Sequence, residues 1–400
     1  MIIALGVTLI PPLLLDLPWT DWIYQGLAIL IVGCPCSLIL SSPIALVSGM
    51  TRAARSGILI KGGVHLEQLG RLEAIAFDKT GTLTKGEPAV FAETVYDETK
   101  FYQVVGALEQ SSLHPLAKAV MRHLEIKKPQ CTFSEAQQVT VLPGEGIQAD
   151  IGGSTFWVGS EEVLKHVRGQ QEHLHAVTAD IQRLKAQGYT IVAAVSEERV
   201  LGQFGLADEI RPESAEVIRQ LHEAGIADTI MLTGDHEQSA QAIAKQSGVG
   251  RVFASLLPEH KVAKIKELSA RKRTGMVGDG INDAPALAAA DLGIAMGKGT
   301  DSAIETADVV LMQDHLGKLP GAIRTARRVN QIIKWNIAIS LSLKAIALLL
   351  TIPGWLTLWI AIISDMGATI VVTLLGLTVL LGKDKSALPV PVYKTDKEQA

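Results

Sequence analysis

The sequence predicts an α/β body built on a parallel sheet, interrupted by an inserted α+β domain and held between apolar helical blocks. Charge distribution is the first sign. The 400 residues are 20% charged and 48% hydrophobic, yet residues 1–51 carry only Asp16 and Asp21, and residues 335–382 only Lys344 and Asp365. The second sign is a recurring pattern in which a short apolar run ends in an acidic turn. The third is residues 91–205, which break that pattern and follow their own alternation. Together these exclude disorder, a disulfide scaffold and a purely cytosolic enzyme. A net charge of -4 argues against nucleic acid as a partner. Three cysteines cannot staple a chain of this length, so a reducing compartment is the better reading.

Met1 to Leu15 is apolar but short. It lacks the basic start and small-residue cleavage site of a signal peptide and reads as a partial membrane helix. Trp22 to Thr51 carries no charge, more than the roughly 20 residues a bilayer crossing needs. Arg52, Arg55 and Lys61 follow as a basic, cytosolic flank, with Trp19 and Trp22 at the opposite interface. Residues 52–72 read as a connector. Trp335 to Ile352 and Trp355 to Leu381 form a hairpin about Pro353-Gly354, with Lys334, Lys383 and Lys385 keeping both ends cytosolic. That gives three full spans and one partial span, the last pair over 326–382, with a cytosolic tail at 383–400.

In the soluble body, Ala74-Ile75-Ala76-Phe77 is a strand leading into Asp78-Lys79-Thr80-Gly81-Thr82-Leu83-Thr84. Thr229-Ile230-Met231-Leu232 leads into Thr233-Gly234-Asp235, and Thr274-Gly275-Met276-Val277 into Gly278-Asp279-Gly280-Ile281-Asn282-Asp283. Amphipathic stretches such as Ser214–Ala224 and His260–Leu268 lie between them. Strand-then-acid turns separated by helices converge carboxylates and hydroxyls on one edge of a parallel sheet. A single Asp-Gly turn is an ordinary loop; three with this arrangement are not. The body therefore divides into 73–90 with 206–325, and the inserted 91–205, where Gly153–Gly159 and Thr190–Val195 alternate as strands.

These three acidic motifs together resemble the P-type cation-transporting ATPases. Cys34-Pro35-Cys36 in a membrane segment and Ser112-Leu113-His114-Pro115 resemble the heavy-metal branch of that family. The resemblance covers the whole chain in the right order. It implies a HAD-like α/β phosphorylation domain with a Rossmannoid parallel sheet, an inserted α+β nucleotide-binding domain, and transmembrane α-helices.

By that resemblance Asp78 is the nucleophile that accepts a γ-phosphoryl group from ATP as a covalent intermediate. Counter-charge comes from Mg2+, with Asp78, Thr80, Asp279 and Asp283 as its site. Thr233 and Lys261 bind phosphoryl oxygens by hydrogen bond and by charge, beside Gly234 and Asp235. Lys79 orients the loop or is a solvated side chain. A soluble phosphatase of the same fold usually carries a second aspartate two residues after the nucleophile; here that position is Thr80. Glu109 and His114 would recognise adenine, with Gly144, Gly146 and Gly159 letting the backbone approach the nucleotide. A lone Gly-x-Gly is a common loop and a lone histidine a common structural residue, so only the resemblance to the family, in order and spacing, assigns them.

Proline inside a membrane helix frees a carbonyl and is tolerated only where something else satisfies it. Cys34 and Cys36 flank such a break, and two thiolates suit Cu(I), Zn(II), Cd(II) or Pb(II). Lys344 and Asp365 both fall near mid-membrane, where charges face a site or each other. Two thiolates, Asp365, Lys344 and a divalent ion sum to zero charge; a monovalent ion leaves the cluster negative. Lys344 and Asp365-Met366-Gly367 also resemble the zinc, cadmium and lead exporting subgroup, so Zn2+ or Cd2+ is the expected cargo, with Lys344 a charge partner. Cys131 is assigned no function.

No Thr-Gly-Glu loop, the family's actuator signature, occurs in the sequence. The chain thus reads as the C-terminal part of a longer pump in a bacterial inner membrane, surrounded by lipid, with its body cytoplasmic. The alternatives are a membrane-anchored remnant or subunit that binds metal and ATP, paired with a complementary chain, and a HAD-type phosphatase.

Overall fold

A computed structural model describes residues 2–381 apart from 35, 111, 130–132, 134, 170, 281–282 and 352–354. Pro35, Cys131, Ile281, Asn282, the Pro353-Gly354 turn and the tail 383–400 with Lys383 and Lys385 lie outside the described residues. Three helices open the chain: α1 (Ile2–Leu15), α2 (Trp19–Gly33) and α3 (Cys36–Arg55). Then β1 (Ile58–Ile60) and α4 (Gly63–Gly70) lead into β2 (Ala74–Asp78), whose five residues are all buried.

A long strand, β3 (Thr84–Val95), begins the inserted unit. It continues through α5 (Glu98–Glu109), α6 (Pro115–Lys127), β4 (Gln137–Leu142), β5 (Gly146–Ile151), β6 (Ser154–Gly159), α7 (Gln171–Ala186), β7 (Thr190–Ser196) and β8 (Val200–Ile210). The strands form one antiparallel sheet in the order β3-β8-β7-β6-β5-β4. Helices α5 and α6 pack on one face around Phe101, Val105, Leu108 and Phe204. Helix α7 covers the other through Val177, Ile181 and Leu184 against Trp157 and Ile191.

The chain then returns through α8 (Ser214–Glu223), β9 (Asp228–Leu232), α9 (Glu237–Ser247), β10 (Arg251–Phe253), α10 (Pro258–Ser269), β11 (Thr274–Gly278), α11 (Ala284–Ala289), β12 (Leu292–Met296), α12 (Asp301–Thr306) and β13 (Val309–Leu311). The second sheet has the order β1-β13-β12-β11-β2-β9-β10. All its neighbours are parallel except β1 with β13. Successive residues face opposite cores: Ile75, Phe77, Met231 and Val277 on one side, Ala76, Ile230, Leu232 and Met276 on the other. Helices on both faces explain why these strands read as continuous apolar runs. Strand order reverses beside β2, the crevice where open α/β sheets place ligands.

Two features cut across the boundaries expected at 90/91, 205/206 and 325/326. The first two fall inside β3 and β8, which pair antiparallel and form a ribbon joining the sheets. The third falls inside α13 (Leu319–Leu349), one unbroken helix of 31 residues from the soluble core into the apolar block. Its first turns pack Leu319, Ile323 and Ala326 into the sheet's core. Helix α14 (Leu358–Leu377) runs back. Among the described residues, three segments are long and apolar enough to cross a membrane: Trp19–Arg55, Leu316–Leu349 and Leu358–Leu377.

Candidate functional site

The sequence folds Asp78 onto the carboxyl end of β2 because Ala74–Phe77 is a buried strand that the next residues cannot continue. The chain turns at Gly81 with φ +69°, and a Cβ there would meet the Asp279 carboxylate at 1.6 Å. Only glycine lets this loop approach the end of β11 so closely. Arg211, just past β8, fastens the loop. Its guanidinium donates to the Gly81 carbonyl at 2.8 Å, the Thr84 carbonyl at 3.1 Å and the Asp314 carboxylate at 2.9 Å. Neither role of Gly81 and Arg211 was assigned from sequence; the arginine immediately after an apolar strand was the available signal.

Asp78, Asp279 and Asp283 each bring a carboxylate oxygen within 4.8 Å of the others. Lys261, on the first turns of α10, donates to Asp78 Oδ1 at 2.5 Å and to Asp283 Oδ1 at 2.9 Å. Burial first, and then the Asp283 carboxylate, push Asp78 up to about 7 against the pull of Lys261. Asp279 is pushed up to about 6 by burial and by Asp283. Burial pulls Lys261 down, but the two carboxylates outweigh it and hold its ammonium above the usual lysine value. Three carboxylates against one ammonium leave excess negative charge in a buried pocket. Oxygen-only donors of this kind fit a hard divalent cation such as magnesium.

Thr233 and Gly234 follow β9 beside this cluster. Thr233 is 2% exposed, and its hydroxyl accepts from the Asp235 amide at 3.1 Å. A Cβ on Gly234 would meet the Leu256 carbonyl at 3.3 Å. Lys79 is buried and ion-paired to Asp235, so the solvated reading of its side chain does not hold. Thr80 is exposed at the mouth of the loop.

The five residues assigned to nucleotide lie on the inserted unit. Gly146 and Gly159 face each other across β5 and β6. A Cβ on Gly146 would meet the Val158 carbonyl at 2.1 Å, and one on Gly159 the Glu145 carbonyl at 2.0 Å. Gly144 sits in the preceding turn, its carbonyl accepting from Ser160 Oγ at 3.2 Å. His114 is exposed and caps α6, its Nδ1 accepting from the Leu116 amide at 3.3 Å. His114→Ala would therefore remove a helix cap as well as an imidazole.

Glu109, at the end of α5, is 6% exposed, and burial alone pushes its carboxyl up to about 7. This lies above the ordinary 4.5, so Glu109's contribution to stability is full below that value and is lost as pH rises through about 7. Glu109→Gln should thus leave the melting temperature nearly unchanged near about pH 4 and raise it by roughly a few degrees near about pH 8. Equal shifts at both pH values would show that the charge is not the cause.

In the membrane segments, Lys344 Nζ lies 3.2 Å from Asp365 Oδ1. The ammonium also donates to the Val32 carbonyl at 3.0 Å and to the Cys34 carbonyl. These carbonyls lie where α2 ends and the chain breaks, so Lys344 satisfies groups that the break leaves open. Cys34, Lys344 and Asp365 therefore converge; the Cys36 side chain lies outside the described residues. Cys34 is disulfide-bonded in this structure, which departs from the free thiols read from the sequence. A disulfide sulfur is not a thiolate, so metal ligation requires Cys34 reduced.

Residues 72–291, more than half of the chain, match the family described as haloacid dehalogenase-like hydrolase. The chain is 48% identical over 394 residues to a probable cadmium-transporting ATPase of Listeria monocytogenes, covering 96% of this chain and 55% of the relative. It is 44% identical over 383 residues to the zinc/cadmium/lead-transporting P-type ATPase of Escherichia coli, covering 95% and 51%. A zinc-transporting PIB-type ATPase crystallised in the E2.Pi state superposes with a TM-score of 0.86 at 42% identity, over 95% of this chain and 61% of that one. The catalytic domain of the CPx-ATPase CopB-B gives 0.56 at 26%, over 69% of this chain. The chain spans about half the length of the curated relatives it matches.

Proposed function

We propose that this chain, which belongs to the haloacid dehalogenase-like hydrolases, is within them a heavy-metal P-type ATPase that drives a divalent heavy-metal ion across a membrane with ATP. The observation that carries this is the buried constellation of Asp78, Lys261, Asp279 and Asp283 on one sheet edge. ATP binds the inserted unit near the Gly146–Gly159 cradle, with Glu109 and His114 toward the base. The Asp78 carboxylate attacks the γ-phosphorus in line, the bond to the bridging oxygen breaks, and ADP leaves. Lys261 and Thr233 hold the transferred oxygens, and Lys79, held by Asp235, supports the loop.

Asp78, Asp279 and Asp283, with Thr80, would hold a magnesium ion, which neutralises charge on the phosphoryl oxygens when bound. Thr80 stands where a phosphatase of this fold carries its general acid, so water attack on the aspartyl phosphate is not assisted from that position. The transported ion, Zn2+ or Cd2+ and by similarity Pb2+, is held by Cys34, Cys36 and Asp365, with Lys344 as charge partner. Arg52, Arg55 and Lys334 flank the spans on the side of the sheet-bearing body, which supports a cytoplasmic body with the helices in the lipid of a bacterial inner membrane.

Acid-quenched labelling with γ-labelled ATP and magnesium tests the reading. Hydroxylamine-sensitive label on the chain supports it, because an acyl phosphate is a mixed anhydride. Phosphate release with no trapped label points instead to a phosphatase.

A further inference from the structure

Hydroxyls in the membrane helices mostly satisfy themselves on the preceding turn. Thr8 donates to the Ala4 carbonyl at 2.8 Å, Ser41 to Leu38 at 2.9 Å, and Thr369 to Asp365 at 2.9 Å. Such back-bonding is the ordinary state of a helical serine or threonine. Ser37 and Ser340 are different: both hydroxyls are buried without a hydrogen-bond partner, and of the two Ser340 lines the cavity beside Lys344 and Asp365. The Ser340 side chain is 1% exposed. In an apolar block that is a cost with no visible return within the protein.

The position of this hydroxyl gives it a use. Ser340 lies four residues before Lys344 on α13, one turn or about 6 Å toward the soluble body. With Lys344, Ser364 and Asp365 it lines a narrow, partly open cavity of about 10 Å³, the room of roughly one water molecule. The facing helix sets the same level: Asn336 Nδ2 reaches the Val372 carbonyl at 3.4 Å, and Lys344 reaches Asp365 at 3.2 Å. Ser340 therefore stands between these two contacts, on the side from which α13 arrives. A cavity this small admits an ion only after most of its water has been shed. Each lost water leaves a coordination position for another oxygen, and a serine hydroxyl offers lone pairs.

We propose that the Ser340 hydroxyl is an oxygen donor for the divalent ion as it sheds water and enters the Lys344–Asp365 site. This rests on the reading of that site as the seat of the transported ion. The ligand class is a divalent ion of the zinc or cadmium kind, which accepts oxygen beside sulfur.

The test is cadmium association with the full chain in detergent and reductant, followed in stopped flow by the ultraviolet absorption of the cadmium–thiolate bond. Ser340→Ala should slow association by about tenfold, the scale of one lost polar contact. Its melting temperature should be no lower, since alanine removes a buried hydroxyl that has no partner. Ser340→Thr keeps the hydroxyl and should stay within about twofold of the parent. An unchanged rate in Ser340→Ala, or equal slowing in Ser340→Thr, overturns the proposal while the ion site stands. Absence of cadmium binding in the parent chain defeats the ion-site reading itself, and this proposal with it.

Discussion

Asp78→Asn should abolish phosphoryl labelling of the chain by Mg-ATP, a loss of at least roughly 1000-fold. The effect is large because an amide nitrogen is not a comparable nucleophile, while nearly everything else at the site stays in place. Asn is close in size to Asp, and Lys261 keeps Asp283 as a partner at 2.9 Å. The substitution also removes one negative charge from a pocket where three carboxylates face one ammonium. Burial already holds Asp78 near 7, so the folded chain should tolerate a neutral group there. A stable, unlabelled variant that still binds ATP is the expected combination. Label persisting in Asp78→Asn would place the nucleophile elsewhere.

Asp365→Ala should weaken Zn(II) or Cd(II) binding by about two orders of magnitude or more. Two losses add: an anionic oxygen donor disappears, and Lys344 is left as a partly buried ammonium without its carboxylate. A loss of roughly 3 kcal/mol, within what removing one charged partner from a binding site costs, corresponds to about a hundredfold in affinity. Lys344→Ala should behave differently. It removes no donor atom but strips the partner from the Val32 and Cys34 carbonyls, so release and selectivity should change more than stoichiometry. Binding measured on the reduced chain in detergent distinguishes the two. Affinity that survives loss of Asp365, or a preference for Cu(I), would defeat the divalent assignment without touching the phosphorylation site.

The strands that carry the chemistry were legible because their apolar runs are short and end in acid. Ala74–Asp78, Asp228–Leu232 and Thr274–Gly278 fall within a residue of the stretches read from sequence. Helices Ser214–Glu223 and Pro258–Ser269 followed from their periodicity in the same way. The β3–β8 ribbon was not legible, because its two strands pair across the whole inserted segment and no composition change marks the crossing. The full length of helix α13 was not legible either, because only its apolar part was read. Its first turns, Leu319 to Arg328, mix apolar and basic residues as a soluble helix does, and nothing in the sequence marks where that helix would stop.

The site was legible where a motif is local and opaque where a partner is distant. Asp279 and Asp283 sit together in one turn, but the pairing of Lys79 with Asp235 spans 156 positions. The same holds for Arg211 on Gly81, 130 positions away. Lys344 and Asp365 were matched in advance because two charges in otherwise apolar helices have few other ways to be satisfied. The disulfide at Cys34 was not expected, since residue type alone does not report oxidation state.

The central claim is that one chain couples a phosphate-accepting aspartate to a divalent-ion site in the membrane. Its most direct test is the amount of acid-stable label from γ-labelled ATP on the reduced chain, mapped by peptide and titrated with Cd(II), Zn(II) and Cu(I). The account predicts label on Asp78 that requires magnesium and rises with Cd(II) or Zn(II) but not with Cu(I). Label on another residue, or label on Asp78 that is the same at every metal concentration, would contradict it.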